Sequence, residues 1–151
     1  MSGRKRDKVF ISYSRQDSKW LNLFQTWLKP LVRKGTLDIW DDTKIKAGTN
    51  WKEEIERALA SANVAVLLVS KNFLASDFIT DHELAPLLNA AANEGLTILW
   101  VPVGHSLYNK TDIGAFQAAH DPQRPLNSLP DHELDQAMTK ICEQIEAAAN
   151  P

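Results

Sequence analysis

Cysteine is nearly absent. Cys142 is the single one among 151 residues, which excludes an intramolecular disulfide and a cysteine-built zinc site. It falls in an apolar helical pattern and reads as a small core residue. No apolar run approaches the ~18 residues of a membrane span. Val9-Phe10-Ile11 is too short for the apolar segment of a secretory signal. Neither charge sign dominates, with 17 Lys and Arg against 19 Asp and Glu, so the broad basic surface of a general nucleic-acid binder is not expected. The chain therefore reads as cytoplasmic, with neither nucleic acid nor a membrane as partner. The histidines at 82, 105, 120 and 132 have no metal-ligand spacing, so no metal is expected. G-x-G-x-x-G, G-x-x-x-x-G-K-[ST] and G-x-S-x-G are all missing, which leaves a Rossmann dinucleotide site, a P-loop and a hydrolase nucleophile elbow unsupported.

Hydrophobic residues make up 44% of the chain and charged residues 24%, enough apolar material for one folded domain that buries roughly 70% of its unfolded surface. Arg4, Lys5, Arg6 and Lys8, interrupted by Asp7, read as a solvated leader. Residues 1–7 are thus a basic flexible leader, 8–146 the domain, and 147–151 a tail or the start of a linker to a further domain. No internal repeat is visible.

Apolar patterning supplies the element order. Val9–Tyr13 is a β-rich run. Trp20, Phe24, Trp27, Leu28 and Leu31 recur at helical spacing, with Asp17 or Ser18 available as cap, Pro30 expected to kink or end the helix, and Gly35 marking a stop. Leu37–Trp40 is a second strand, and Asp41–Asn50 a polar loop. Asn50 and Glu53 resemble a capping box before a helix lined by Trp51, Ile55, Ala58, Leu59 and Ala62. Val64–Val69 and Leu96–Val103 are apolar at nearly every position, as parallel strands covered on both faces are. Between them Leu84, Leu87, Leu88 and Ala91 mark a third helix ending near Gly95, and Leu134–Ile145 marks the last. A short fifth strand is expected near Arg124–Ser128, in a segment holding Pro122, Pro125 and Pro130. Alternating strands and helices predict an α/β, flavodoxin-like, open five-stranded parallel sheet with helices on both faces. Ligands of such sheets bind beyond the carboxyl ends of the strands. There is no aspartate ending the third strand, as a phospho-receiver would need.

Three segments, in order and in spacing, resemble the TIR (Toll/interleukin receptor/resistance) family, and most closely its prokaryotic members. Val9–Asp17 resembles the F-I-S-Y-like first box. Trp40-Asp41-Asp42 through Lys46-Ala47-Gly48 is similar to the second strand and the loop after it. Ser70–Phe78, running on to Glu83-Leu84, looks like the segment that ends in a glutamate on the third helix. The resemblance implies one of two roles. Some members are non-catalytic scaffolds that recruit other TIR domains. Many cleave NAD at the nicotinamide–ribose bond, giving ADP-ribose or a cyclised form, and their helix glutamate maps to Glu83. NAD is then a substrate, and no cofactor is implied. Self-association through the loop Asp41–Asn50 would complete the site, which would suit a defence or cell-suicide module. Base exchange at the same ribosyl cation is a third, weaker reading.

The chemistry suits one carboxylate. Nicotinamide leaves neutral and needs no acid, unlike the leaving oxygen of a glycoside. Positive charge builds on the ribose, where a fixed anion lowers the barrier. Against this, Thr80-Asp81-His82-Glu83 has the capping-box spacing, which would occupy Glu83 with its own backbone. Family enzymes often carry a tryptophan four residues before the glutamate. Here that position is Ile79, and Phe78 lies five before. A one-residue shift at the helix start would make Phe78 the aromatic wall; otherwise it is core filler. Ser14 and Arg15 follow the first strand and would face the ligand crevice, Arg15 holding a diphosphate or standing as an exposed loop residue. Lys46 contacts phosphate or adenine, or is solvated. Asp41 accepts from ribose or fixes its loop. Trp51 reads as packing, Trp100 as core, and Asp17 as a cap first and a ligand second.

Overall fold

A computed structural model describes residues 6–151. Among them four strands form one parallel sheet in the order β2-β1-β3-β4: β1 (Lys8–Ser12), β2 (Ile39–Trp40), β3 (Ala62–Val69) and β4 (Thr97–Pro102). Alternate side chains of the central strands go to opposite faces. Val9, Ile11, Val64, Val66, Leu68 and Val101 pack under α1 (Ser18–Lys34) and the closing helix. Phe10, Ala65, Leu67, Val69, Ile98 and Trp100 pack under α2 (Trp51–Ser61) and the helices between β3 and β4. Both faces are therefore dry, which is why β3 carries no polar alternation beyond Asn63.

The α/β class, the parallel sheet and the helices on both faces stand, but the fifth strand does not form. Ala118 makes one isolated parallel bridge to Trp100, and Leu126–Ser128 is a 3-10 turn. Prolines cannot donate into a sheet ladder. With Pro122 and Pro125 the segment offers single bonds instead, Ala119 N–H to Trp100 O (2.8 Å) and Asn127 N–H to Val103 O (2.9 Å).

Helix ends follow local chemistry. Pro30 does not end α1, which runs on to Lys34 with Pro30 on its exposed side; it forfeits one backbone bond and crowds the Thr26 carbonyl, a cost that the packed face of the helix offsets. Gly35 is the stop, at φ 84° in the left-handed region where a Cβ is disfavoured. Asn50 caps α2 by accepting from the N–H groups of Lys52 (3.1 Å) and Glu53 (3.3 Å). Asp17 sits at the N-cap of α1, yet its side chain does not cap. It accepts instead from Ser70 Oγ (2.5 Å) and Asn72 Nδ2 (3.3 Å), tying the loop after β1 to the end of β3.

The segment after β3 forms α3 (Lys71–Ala75), then α4 (Asp77–Ile79), a π-helical turn (Thr80–Leu84) and α5 (Ala85–Asn93). Backbone dihedrals stay right-handed helical at the junctions, Ile79, Thr80, Leu84 and Ala85. Pro86 gives the widened turn a cause, since its ring crowds the His82 carbonyl and it has no N–H to return there. The last helix, α6 (Asp131–Ala149), reaches three residues past 146. Residues 1–5 of the basic leader lie outside the described residues. Arg6 donates to the carbonyls of Leu59 (3.1 Å) and Ala62 (2.8 Å) at the end of α2 and pairs with Glu94 (2.5 Å).

Candidate functional site

The carboxyl ends of β1 and β2 meet the π turn at a cleft of about 200 Å³ lined by Tyr13, Ser14, Arg15, Gln16, Asp42, Ser76, Phe78, Ile79 and Glu83. Glu83 is its buried charge, 7% exposed. It is not a cap. Ser76 caps this helix through Ile79 N–H (3.2 Å), and Thr80 lies within the helix. Among the described residues Glu83 is bonded by the Ser12 hydroxyl, which donates to Oε1 at 2.8 Å, and by no backbone N–H. Burial pushes the carboxyl up to about 7, and the nearby negative charge of Asp42 adds to the rise. The Ser12 hydrogen bond and the Arg15 guanidinium oppose it.

A π turn, which closes i to i+5, lies between Phe78 and the end of Leu84 and carries Glu83. Phe78, Ile79 and Glu83 all line the cleft; Ile79 is 3% exposed and packs into the core beneath it. Phe78 is 42% exposed, which excludes the core-filler reading.

Of the other residues singled out in the sequence, Ser14 and Arg15 reach the cleft. Ser14 Oγ accepts from Gln16 N–H (3.3 Å) and shapes the turn that carries Arg15. The Arg15 side chain is 88% exposed and 3.7 Å from Asp42 Oδ2. Asp41 and Lys46 do not line the cleft. Asp41 is buried and fixes its loop, accepting from Thr43 N–H (3.0 Å), the Thr43 hydroxyl and Gln25 Nε2 (3.0 Å). Lys46 is exposed on the loop.

Ser12, Tyr13 and Asp42 escaped the sequence reading. Tyr13 Oη donates to Asp42 Oδ1 at 2.6 Å, bridging the first and second strand tips. Burial, and after it that bond, hold the phenol above its usual range. Asp41 is spent on the Asx turn to Thr43, which leaves Asp42 as the acid that lines the cleft.

This geometry, on a sheet of flavodoxin-like order, defines an α/β domain with an acidic cleft at its strand tips. The TIR domain model matches residues 9–127, and the chain belongs to that family. Its relatives include the uncharacterised protein y4lF of Sinorhizobium fredii, 25% identical over 93% of this chain and 43% of the relative. The NAD(+) hydrolase TcpC of Escherichia coli is 28% identical over 65% of this chain and 31% of its own length. The probable 2' cyclic ADP-D-ribose synthase TcpO of Methanobrevibacter olleyae is 27% identical over 62% and 30%. The chain thus spans less than half of these relatives. The TIR domains of the activated Roq1 resistosome superpose with a TM-score of 0.55 at 20% identity, over 95% of this chain and 83% of that one, a likeness of fold. No helix among the described residues is long and apolar enough to cross a membrane.

Proposed function

We propose that this domain cleaves the nicotinamide–ribose bond of NAD, with Glu83 as the catalytic carboxylate. The observation that carries the reading is that Glu83 is desolvated, unclaimed by backbone, and placed beside Phe78 in the strand-tip cleft. As the bond breaks, its electron pair goes to the ring nitrogen and nicotinamide leaves neutral. The ribose becomes cationic, and a carboxylate in a dry site stabilises that charge more than one in water would. Water adds to the ribosyl carbon and gives its proton to Glu83, yielding ADP-ribose. Capture by a hydroxyl of the same molecule would give a cyclic product. Phe78 walls the nicotinamide, Ser14 shapes the rim, and Arg15 receives the diphosphate.

The names of two relatives, an NAD hydrolase and a cyclic ADP-ribose synthase, support this reading. A cleft of about 200 Å³ is small for a whole dinucleotide. We therefore assign the exposed loop 41–50 to self-association, with Lys46 and the rest of the loop completing the neighbouring copy's site. Asp41 acts by holding that loop in shape. A cytoplasmic defence module silent as a free monomer fits this arrangement. The same exposed loop favours the second reading, a scaffold that only assembles.

The test is nicotinamide release at high protein concentration or on a crowding surface, native against Glu83→Ala. Release by the native chain alone sustains the hydrolase. No release under any assembly condition gives the scaffold.

A further inference from the structure

Helix α1 holds Lys19, Lys29, Arg33 and Lys34 and no acidic residue. Arg33 sits in the last turn, where the helix dipole favours a cation. Lys29 lies a turn earlier, four residues before Arg33 on the same helical face, and like charges at that spacing repel. Both line a groove of about 750 Å³ between α1 and the edge strand β2, where Lys44 joins them from the loop after β2. All three cations are exposed, and among the described residues none is in an ion pair. The carboxylate in the lining is Asp41, and both its oxygens are already accepting. Oδ2 takes the Gln25 amide of α1 at 3.0 Å, and Oδ1 takes Thr43 N–H at 3.0 Å and the Thr43 hydroxyl. Asp41 thus borders the groove while its neighbour Asp42 borders the cleft, and the two linings share no residue.

We propose that this groove binds a nucleoside diphosphate, whose phosphates pin the loop 41–50 to α1. Two adjacent phosphates bring the negative charge that three clustered cations lack. Arg33 offers the planar fork that phosphate oxygens accept from, and the two lysines act as point charges. Lys29 and Arg33 belong to the helix and Lys44 to the loop. One diphosphate therefore bridges the same two elements that Asp41 joins. Pro30, Val32 and Ile39 complete the lining as an apolar strip, with Val32 41% exposed, and they give the sugar and base a surface to lie on. The groove has the size of small-molecule sites, about 300–1,000 Å³. This site stands apart from the NAD reading and holds whether or not the cleft is catalytic.

The experiment is calorimetric titration of the full chain with ADP, joined to limited proteolysis. Lys29→Gln with Arg33→Gln removes two exposed cations without touching the core. That double variant should bind ADP roughly 10-fold or more weakly, since charge-assisted bonds are lost. Arg15→Gln, which alters the cleft alone, should stay within about twofold of the native chain. Inorganic pyrophosphate should bind about fivefold more weakly than ADP, because it leaves the apolar strip bare. Saturating ADP should slow tryptic cleavage after Lys46 in the native chain and in Arg15→Gln, and not in the double variant. A native chain that takes up no ADP overturns the proposal, and so does a loss of binding in Arg15→Gln that the double variant does not show. Pyrophosphate binding as tightly as ADP overturns the nucleotide assignment. Unchanged cleavage after Lys46 at saturating ADP overturns the pinning of the loop. Each readout is made without NAD, so a chain that releases no nicotinamide sinks the hydrolase reading and leaves this test intact.

Discussion

A desolvated carboxylate should cost the fold stability, and Glu83→Gln measures that cost. Burial raises the folded pKa of Glu83 to about 7 from an ordinary 4.5. The folded state then binds a proton more tightly than the unfolded chain, so stability falls as pH rises from about 4.5 to about 7, and stays low above. Each tenfold in proton affinity is 1.36 kcal/mol, giving roughly 3 kcal/mol of destabilisation at pH 8 and about 1 kcal/mol or less at pH 5. Glutamine removes the charge and keeps an oxygen for the Ser12 hydroxyl. Its buried amide gives back about 1 kcal/mol. The variant should therefore be more stable than the native chain by about 2 kcal/mol at pH 8, and close to it at pH 5. For a chain of this size 2 kcal/mol is about 4–8 °C in Tm. Paired thermal melts across pH 5–8 check this. A variant that melts lower at pH 8, or by the same offset at every pH, would refute the claim that burial governs this carboxyl.

The proposed NAD cleavage should rise with pH through a midpoint near 7 as Glu83 ionises, read in kcat/KM. Asp42→Asn removes a like charge and should move that midpoint down, while Ser12→Ala removes a donor and should move it up; shifts in the same direction would break the assignment of causes. Asp17→Ala strips the acceptor from Ser70 and Asn72 and should destabilise by about 1–3 kcal/mol, seen in urea titration. Gly35→Ala places a Cβ at φ 84° and should cost about 1 kcal/mol, with cleavage unaffected.

The fold was legible because a doubly covered sheet writes itself as solid apolar runs. Val64–Val69 admits few other readings, whereas the strand order β2-β1-β3-β4 comes from the structure. The fifth strand failed because its prolines lie outside any periodic signal and are judged by which backbone groups they leave unpaired. The cap at Thr80 failed for a related reason. A capping box is a local pattern, and Ser76 offers the same chemistry four residues earlier. Glu83 was singled out through the family spacing, but its freedom from the backbone was visible in no local pattern. Asp42 and Asp41 are chemically identical neighbours, and a 3-10 turn after β2 decides between them.

The π turn joins fold to proposed chemistry. In an unbroken α-helix the residue four before Glu83 would share its face, and that residue is Ile79, an aliphatic side chain that the core claims at 3% exposure. Here Ile79 borders the cleft from the core side, and Phe78 borders it from the solvent side. Pro86 makes the widening cheap, because an α-helical bond at that position was unavailable anyway. The sequence departs from the family's tryptophan spacing and the backbone departs from α-helical geometry by the same single residue. If the two are linked, Pro86→Ala should let the helix tighten, rotate Phe78 out of register with Glu83, and lower cleavage while raising stability. A Pro86→Ala chain with wild-type KM and kcat would show that the aromatic wall does not depend on the turn.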